Sequence, residues 1–253
     1  MTLSRYQSKW QTDELAAAFL QGVRGAIPAA GLQLELIDHI VRSWFPHPRC
    51  ILDLGCGDGA LGRFLLDRYP DARVIFADFS DPMLEAAQKQ LENRVRASII
   101  KVDFSSSSWM DTIGILESID IVVSGFAIHH QPDLRKKALY SEVFALLNSG
   151  GVFLNLEHVV SATPAGESLF DNYFIDHLYE FHRANDPSKS REEIALEHYS
   201  RPDKAENILA PVQDQCAWLR EIGFADVDCF FKVFELALFG GRKPVKTAAA
   251  LEV

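Results

Sequence analysis

The stretch ILDLGCGDGALG, residues 51–62, constrains the fold of this chain more than any other. It places four glycines within eight positions, directly after a short apolar run. Glycine at this density costs backbone entropy and is used where the chain turns sharply or another group approaches the backbone. A glycine turn between a strand and a helix lets backbone amides approach a ligand. We therefore expect a ligand to lie against Gly55, Gly57 and Gly59.

Short apolar runs alternate with helical periodicity on both sides of this loop. The pattern predicts five strands, at residues 50–54, 72–78, 97–103, 119–125 and 152–159. It predicts helices near residues 12–25, 32–45, 60–69, 133–147 and 211–222, and another that begins at Ser80 or Asp81. Such alternation indicates a parallel, doubly wound α/β sheet that binds ligands at the carboxyl ends of its strands.

The last part of the chain departs from this alternation. Residues 225–243, ADVDCFFKVFELALFGGRK, form two β-rich halves with no room for a crossover helix between them. They predict a terminal antiparallel hairpin on an otherwise parallel sheet. A dinucleotide dehydrogenase would continue with parallel βα units, and its GxGxxG fingerprint fails here because position 60 is alanine. The hairpin and the loop together disfavour that class of enzyme.

Length and charge limit the domain organisation and the partners. The 253 residues fit one domain over 1–245, with an N-terminal helical cap at 1–45 and an insertion at 160–210. The tail, 246–253, resembles a partly vector-derived remnant. With 35 acidic and 25 basic residues the formal net charge is −10, which argues against nucleic acid as a partner.

Cysteine usage and hydropathy indicate the compartment. The four cysteines show no CxxC spacing, so we expect neither a zinc site nor a disulfide framework, and a reduced cytoplasmic setting. No apolar run approaches the ~18 residues of a membrane span, and the first ten residues lack a signal-peptide core. We therefore expect no membrane partner.

Carboxylates follow the strands at positions where a nucleoside ligand needs acceptors. Asp53 lies in the strand before the glycine loop and Asp58 inside the loop, where they would repel a pyrophosphate and suit a cationic ligand. Asp78 ends the second predicted strand, about 20 residues past the loop, where it can accept hydrogen bonds from both ribose hydroxyls. Asp103 ends the third strand and can accept from an adenine amino group, while Phe104 packs on the ring.

Taken together, several stretches resemble the class I S-adenosylmethionine-dependent methyltransferases over most of residues 45–243. They are LDLGCGDG, IFADFS, KVDFS, IVVSGFAIHH, LNSGGVF and FELALFGGRK. The resemblance implies a Rossmann-like, seven-stranded sheet with an antiparallel last strand and a helical lid insertion at 160–210. It implies S-adenosylmethionine as the cofactor. Its methionine end would contact Gly55 and Gly57, its ribose Asp78, and its adenine Asp103 and Phe104. Further cofactor-binding candidates are Asp53, Cys56, Phe79, Met83 and Ser124.

Candidate catalytic residues follow the fourth and fifth strands. Methyl transfer needs a positioned nucleophile and, for some nucleophiles, a base, because the sulfonium already carries the driving force. The candidate bases are His129 and His130, of which at most one faces the pocket because adjacent residues point apart, together with Glu157 and His158. His129 and Glu157 are favoured, and His129 has the alternative role of orienting its loop. A metal centre would draw on His129, Glu157, His158, His177 and His182, whose spacing fits no recognised ligand set. We expect no metal.

The acceptor is expected under the lid insertion. Phe170, Phe174, His177 and Phe181 follow helical spacing and predict first of all a buried packing face. SREE, residues 190–193, predicts a capping box at the start of a second helix. The substrate candidates are Tyr6 and Trp10 from the N-terminal side, together with His158, Tyr173, His177, Tyr179 and His182.

Three functions follow from this reading. The first is methyl transfer to a small-molecule acceptor by a monomer or homodimer. The second is modification of a tRNA wobble uridine by an enzyme of the same fold, with Arg135–Lys137 and Arg242–Lys243 as basic anchors. The third is a non-catalytic protein that binds S-adenosylmethionine. The acidic net charge favours the first over the second, since basic runs this short do not reverse the average repulsion of phosphates.

Overall fold

Helices and strands alternate along the chain in the computed structural model, which describes residues 24–92, 94–114, 118–185, 188–201, 204 and 206–245. The strands are β1 (Cys50–Leu54), β2 (Arg73–Asp78), β3 (Ala97–Lys101), β4 (Ile119–Gly125), β5 (Leu147–His158), β6 (Ala225–Val233) and β7 (Leu236–Arg242). The helices are α1 (Ala30–Trp44), α2 (Ala60–Arg68), α3 (Asp81–Gln90), α4 (Trp109–Gly114), α5 (Asp133–Leu146), α6 (Pro164–Asn185), α7 (Arg191–Ser200) and α8 (Val212–Ile222). The predicted helix near 12–25, Tyr6, Trp10 and the tail 246–253 lie outside the described residues.

These strands form one seven-stranded sheet in the order β3-β2-β1-β4-β5-β7-β6. β7 is antiparallel to both of its neighbours, β5 and β6, while the other adjacent pairs are parallel. The prediction of a doubly wound sheet with an antiparallel last strand is confirmed. β1 lies inside the sheet, between β2 and β4, and is buried at all five residues, so the loop that follows it opens on the interior part of the carboxyl edge.

One boundary differs clearly from the prediction. β5 begins at Leu147, directly after α5, instead of at residue 152. Leu147 has extended backbone angles (φ −66°, ψ 141°) and pairs with Ile119, so the helix ends without using the glycines that follow. Gly150, at φ +80°, lies inside the strand. Gly150 and Gly151 therefore belong to the strand and do not end the helix.

Side chains alternate between the two faces of the sheet and fill a cluster on each. In β1, Cys50, Leu52 and Leu54 belong to one cluster and Ile51 to the other, as the two-residue period of a strand requires. A third cluster holds the lid insertion, where Phe170 and Phe174 of α6 are buried. This confirms the predicted packing face at Phe170 and Phe174; Phe181 packs against the cluster half-buried, whereas His177 is not part of it. None of the described helices combines the length and the apolar character needed to span a bilayer.

Candidate active site

The glycine loop after β1 is fixed by backbone bonds to the end of β2. The N–H groups of Gly55 and Cys56 donate to the carbonyl oxygen of Ala77 at 2.7 and 3.0 Å. Gly55 has φ +71°, and a Cβ there would lie 2.2 Å from the Cβ of Ala127. Gly57 has φ +56°, and among the described residues the atom nearest to a Cβ there would be the Met83 sulfur at 4.0 Å. The loop thus packs tightly against the end of β4 on one side and presents open space at Gly57.

Asp78 connects this loop to the start of α3. Its buried carboxylate accepts from the Gly57 N–H through Oδ2 and from the Ser80 N–H through Oδ1, both at 2.9 Å. Burial raises the pKa of Asp78, and the backbone donors oppose that rise. Each carboxylate oxygen has a second lone pair, so the group can still accept from a ligand hydroxyl. Ser80, one of the two predicted caps, accepts from the Met83 N–H and caps α3.

Asp53 has a structural role that the sequence interpretation missed. Its buried Oδ2 accepts from the Gly62 N–H at 2.7 Å and so fixes the first turn of α2. A Cβ at Gly62 would lie 2.8 Å from that oxygen and 2.4 Å from Cε1 of Phe76. The fourth glycine of the motif is therefore required for the approach of the helix to β1 and β2. Cofactor binding by Asp53 stays a prediction.

The other cofactor candidates surround the loop. Phe104 is buried, and its Cε1 lies 3.4 Å from the Cβ position of Gly55. Asp103 is exposed and accepts from the Ser105 N–H at 2.9 Å through Oδ1. Ser124 donates to the Leu54 carbonyl oxygen at 2.7 Å, which joins the ends of β4 and β1. Phe79 is half-buried, while Cys56 and Met83 are buried.

His129 and Glu157 form a buried pair where β4 and β5 end. The structure places His129 in a 3-10 turn, Ile128–His130, two residues past the Ala127 that packs on the glycine loop. Its Nδ1 lies 2.6 Å from Glu157 Oε1, with relative exposures of 6% and 0% for the two residues. The sequence named both residues, and the fold brings them together from 28 positions apart.

Burial pushes both members of the pair toward their uncharged forms. It lowers the pKa of His129, and the positive charges of His158, Lys136 and Arg201 act in the same direction. It raises the pKa of Glu157 to about 7, against the lowering effects of His130 and Lys136. Because the two groups touch, they titrate as a unit. The pair can therefore take up and release a proton near neutral pH.

A chain of buried polar groups supports Glu157 from behind. Asn155 donates from Nδ2 to Glu157 Oε2 at 3.4 Å and to the Tyr140 hydroxyl at 3.2 Å. Tyr140 in turn donates to Gln215 Oε1 at 2.6 Å. These three residues were missed, although a polar asparagine inside the apolar run VFLNLEHV is a signal that could have found them. They fix the carboxylate in one orientation.

Two further histidines adjoin the pair. The His130 ring lies 4.0 Å from that of His129, and the His158 ring 5.8 Å from it, between centroids. Burial lowers the pKa of His130 to about 3, and its Nδ1 lies 3.3 Å from the Glu206 carbonyl oxygen. His158 Nε2 lies 2.8 Å from Glu235 Oε2. Within the described ranges, no group of three or more His, Cys, Asp and Glu side chains is arranged to hold a metal ion.

The structure places the substrate candidates of the lid insertion along α6. The His158 ring, at the end of β5, lies 5.4 Å from Phe170 and so connects the pair to this helix. Tyr173 and His177 pair with each other at 4.4 Å between ring centroids. Tyr179 borders the third apolar cluster, and the His182 ring lies 5.8 Å from Phe181. Their roles toward a substrate stay predictions.

Residues 51–151 match the family model described as a methyltransferase domain. The chain thus carries an S-adenosylmethionine-dependent methyltransferase domain. Carboxy-S-adenosyl-L-methionine synthase of Shewanella amazonensis is 27% identical to this chain over 237 residues, 92% of each chain. Human N-acetylserotonin methyltransferase, solved in complex with S-adenosylmethionine, shares the fold with a TM-score of 0.61 and 15% identity. That match covers 93% of this chain and 58%, less than two thirds, of the solved chain.

The expectation that nucleic acid is excluded as a partner is wrong. Ribosomal RNA large subunit methyltransferase G of Pseudoalteromonas atlantica is 29% identical over 136 residues, 51% of this chain and 35% of that protein. Methyltransferases similar to this one therefore include an enzyme named for an RNA. Net charge misled the prediction because it averages the whole chain, whereas binding depends on the local potential.

The cofactor is S-adenosylmethionine, and the residues present fit it. Gly57 offers open space where an added Cβ would project, so a ligand can approach the backbone there. Asp78 lies beside Gly57 with lone pairs left for ribose hydroxyls. Asp103 is exposed at the end of the neighbouring strand, next to the ring of Phe104. These groups would hold the methionine end, the ribose and the adenine in that order.

Proposed function

We propose that this enzyme transfers the methyl group of S-adenosylmethionine to a small molecule bound beside the His129–Glu157 pair. The observation that carries the proposal is the 2.6 Å contact between His129 Nδ1 and Glu157 Oε1, buried at the carboxyl edge of the sheet. Parallel α/β sheets bind their ligands at this edge. Phe170 of the insertion packs against the ring of His158, which lies at the same edge, at the end of β5, and this favours a compact acceptor.

In this proposal the pair accepts a proton from the acceptor. S-adenosylmethionine, when bound, supplies an electrophilic methyl group, so the protein has to orient the nucleophile and remove its proton. In the tautomer that donates from Nδ1 to Glu157, Nε2 of His129 is left as the basic nitrogen. Glu157 then stabilises the imidazolium that forms. Asn155 keeps the carboxylate oriented toward the ring while the proton moves.

Formation of carboxy-S-adenosylmethionine is a second candidate. Two relatives that carry this name match over about nine-tenths of both chains, so the likeness includes the lid insertion as well as the cofactor-binding half. In that reaction a carboxylate co-substrate would release carbon dioxide, and the methyl carbon of the cofactor would lose a proton and bind that carbon dioxide, so the methyl group is not transferred. The two candidates therefore differ in what becomes of the methyl carbon.

Mass spectrometry with S-adenosylmethionine labelled isotopically in its methyl group tests the proposal. The protein would be incubated with a metabolite fraction and, separately, with an RNA fraction. Label in a small molecule, together with the demethylated cofactor, supports methyl transfer to a small molecule. A labelled cofactor that is heavier by one carbon dioxide supports the second candidate. Label in the RNA contradicts both candidates. The Glu157→Gln variant serves as the inactive control. A cytoplasmic location and a monomeric or homodimeric state stay predictions.

A further inference from the structure

The end of the lid insertion is fastened to the turn that carries His129. The Ile208 N–H donates to the carbonyl oxygen of His129 at 2.9 Å, and Lys136 donates from Nζ to the carbonyl oxygen of Ile208. His130 Nδ1 lies 3.3 Å from the carbonyl oxygen of Glu206. Both backbone groups of Ile208 are thus bound by residues in or next to the site.

The side chain of Lys136 is more deeply buried than close packing alone would require of a lysine. It lies in the first turns of α5 with a relative exposure of 1%, and Nζ also donates to Asp133 Oδ1 at 2.7 Å. The Asp133 side chain is half-exposed, so water screens its attraction to the Lys136 ammonium. Asp133 therefore offsets only part of the cost of burying that charge. An apolar side chain of similar volume would fill this position without the cost of removing a charge from water. The ammonium therefore has a use other than filling space.

We propose that Lys136 is a positioning residue that couples closure of the lid insertion to the protonation of the His129–Glu157 pair. Its hydrogen bond holds segment 206–208 against the turn, and its charge acts on the pair from the α5 side. The significance for catalysis rests on the proposed function, whereas the anchoring and the charge effect do not.

The charged groups around the pair show in which direction Lys136 shifts its protonation. His130, His158, Arg201 and Lys136 face the pair, Tyr140 lies behind Glu157, and Asp133 faces Lys136. The positive charge of Lys136 lowers the pKa of His129 and also that of Glu157. Because both pKa values fall, the pair stays unprotonated down to a lower pH than it would without the charge of Lys136. When Lys136 anchors the end of the lid insertion, its charge therefore also keeps the pair ready to accept a proton.

Four variants separate the anchor from the charge. Lys136→Met removes both, Lys136→Gln keeps a donor for the Ile208 carbonyl without the charge, and Lys136→Arg keeps both. Lys137→Met is the matched control, because that neighbouring lysine is exposed and pairs with Glu221 on the surface. Amide hydrogen exchange at 206–210 reports the anchor. NMR titration of the His129 ring reports the charge effect, and neither readout needs an acceptor.

We expect Lys136→Met to speed exchange of the Ile208 amide by about three- to tenfold, the scale of one hydrogen bond. The titration of the pair should move up by roughly one pH unit, as for the loss of one nearby charge. Lys136→Gln should shift the titration alone, while Lys136→Arg and Lys137→Met should resemble the wild type. If Lys136→Met does not fold, Lys136→Gln still tests the charge effect, and Lys136→Leu, which also lacks a donor for the Ile208 carbonyl, tests the anchor.

The proposal is overturned if the titration is unchanged in Lys136→Gln, because Lys136 is then an anchor only. It is also overturned if exchange at 206–210 is unchanged in Lys136→Met. Should the labelling experiment find no small-molecule product while both readouts move as expected, the proposed function fails and the coupling stands.

Discussion

Replacing Gly62 by alanine tests the close approach of α2 to the sheet. In an exposed helix this change gains roughly 1 kcal/mol, because glycine loses more backbone entropy on folding than alanine. Here the new Cβ would lie 2.4 Å from Cε1 of Phe76 and 2.8 Å from Oδ2 of Asp53. Both atoms belong to buried side chains, so either the helix or the strands have to move.

The cost of that movement exceeds the gain. Overpacking a filled core costs ~1–3 kcal/mol. Weakening the 2.7 Å bond from the Gly62 N–H to the Asp53 carboxylate adds part of the ~1.5–3 kcal/mol typical of bonds to a charged acceptor. After the gain in helix propensity is subtracted, we expect a net loss of about 2 kcal/mol. For a domain of this size the loss lowers the melting temperature by roughly 4–8 °C.

Thermal and urea unfolding of Gly62→Ala would measure this loss against a matched control. Gly31 lies in α1, and no atom of the described part of the chain lies within 4 Å of its Cβ position, so Gly31→Ala should stabilise the protein by about 0.5–1 kcal/mol. The same substitution then has opposite signs at two helical positions. If Gly62→Ala were neutral or stabilising, the packing of Asp53 and Phe76 against this glycine would be refuted.

Three further predictions concern the site. Asp78→Asn should weaken binding of S-adenosylmethionine by ~1.5–3 kcal/mol in calorimetry, whereas Asp81→Asn, an exposed neighbour, should leave it unchanged. Turnover should rise with pH through about 7, where Glu157 loses its proton and the pair becomes able to accept one; a flat profile would contradict this. His129→Ala should lower turnover by about 10²–10⁴-fold with normal cofactor affinity, and full activity would reduce His129 to a loop-orienting residue.

Local patterns in the sequence determined the order of the elements and the cofactor loop. β1 and β4 were predicted at their observed bounds, because a buried strand leaves a short apolar run that needs no knowledge of its neighbours. The positive φ angles of Gly55, Gly57 and Gly59 agree with their identity as glycine. The prediction failed where the local sequence was compatible with two structures. At Leu147 the helix could have continued, but the pairing of Leu147 with Ile119 begins β5 and so ends α5 before the glycines.

Tertiary structure decided which of the candidate groups meet. His129 and Glu157 were both named, but their contact depends on β4 and β5 being neighbours in the sheet. The bond from Asp53 to Gly62 and the anchoring of Ile208 by Lys136 depend on how helices and loops pack across the carboxyl edge. Contacts of this kind join residues far apart in sequence and follow no period, so no window along the chain contains them. Only the folded arrangement of the strands gives such side chains their partners and, through burial, their pKa values.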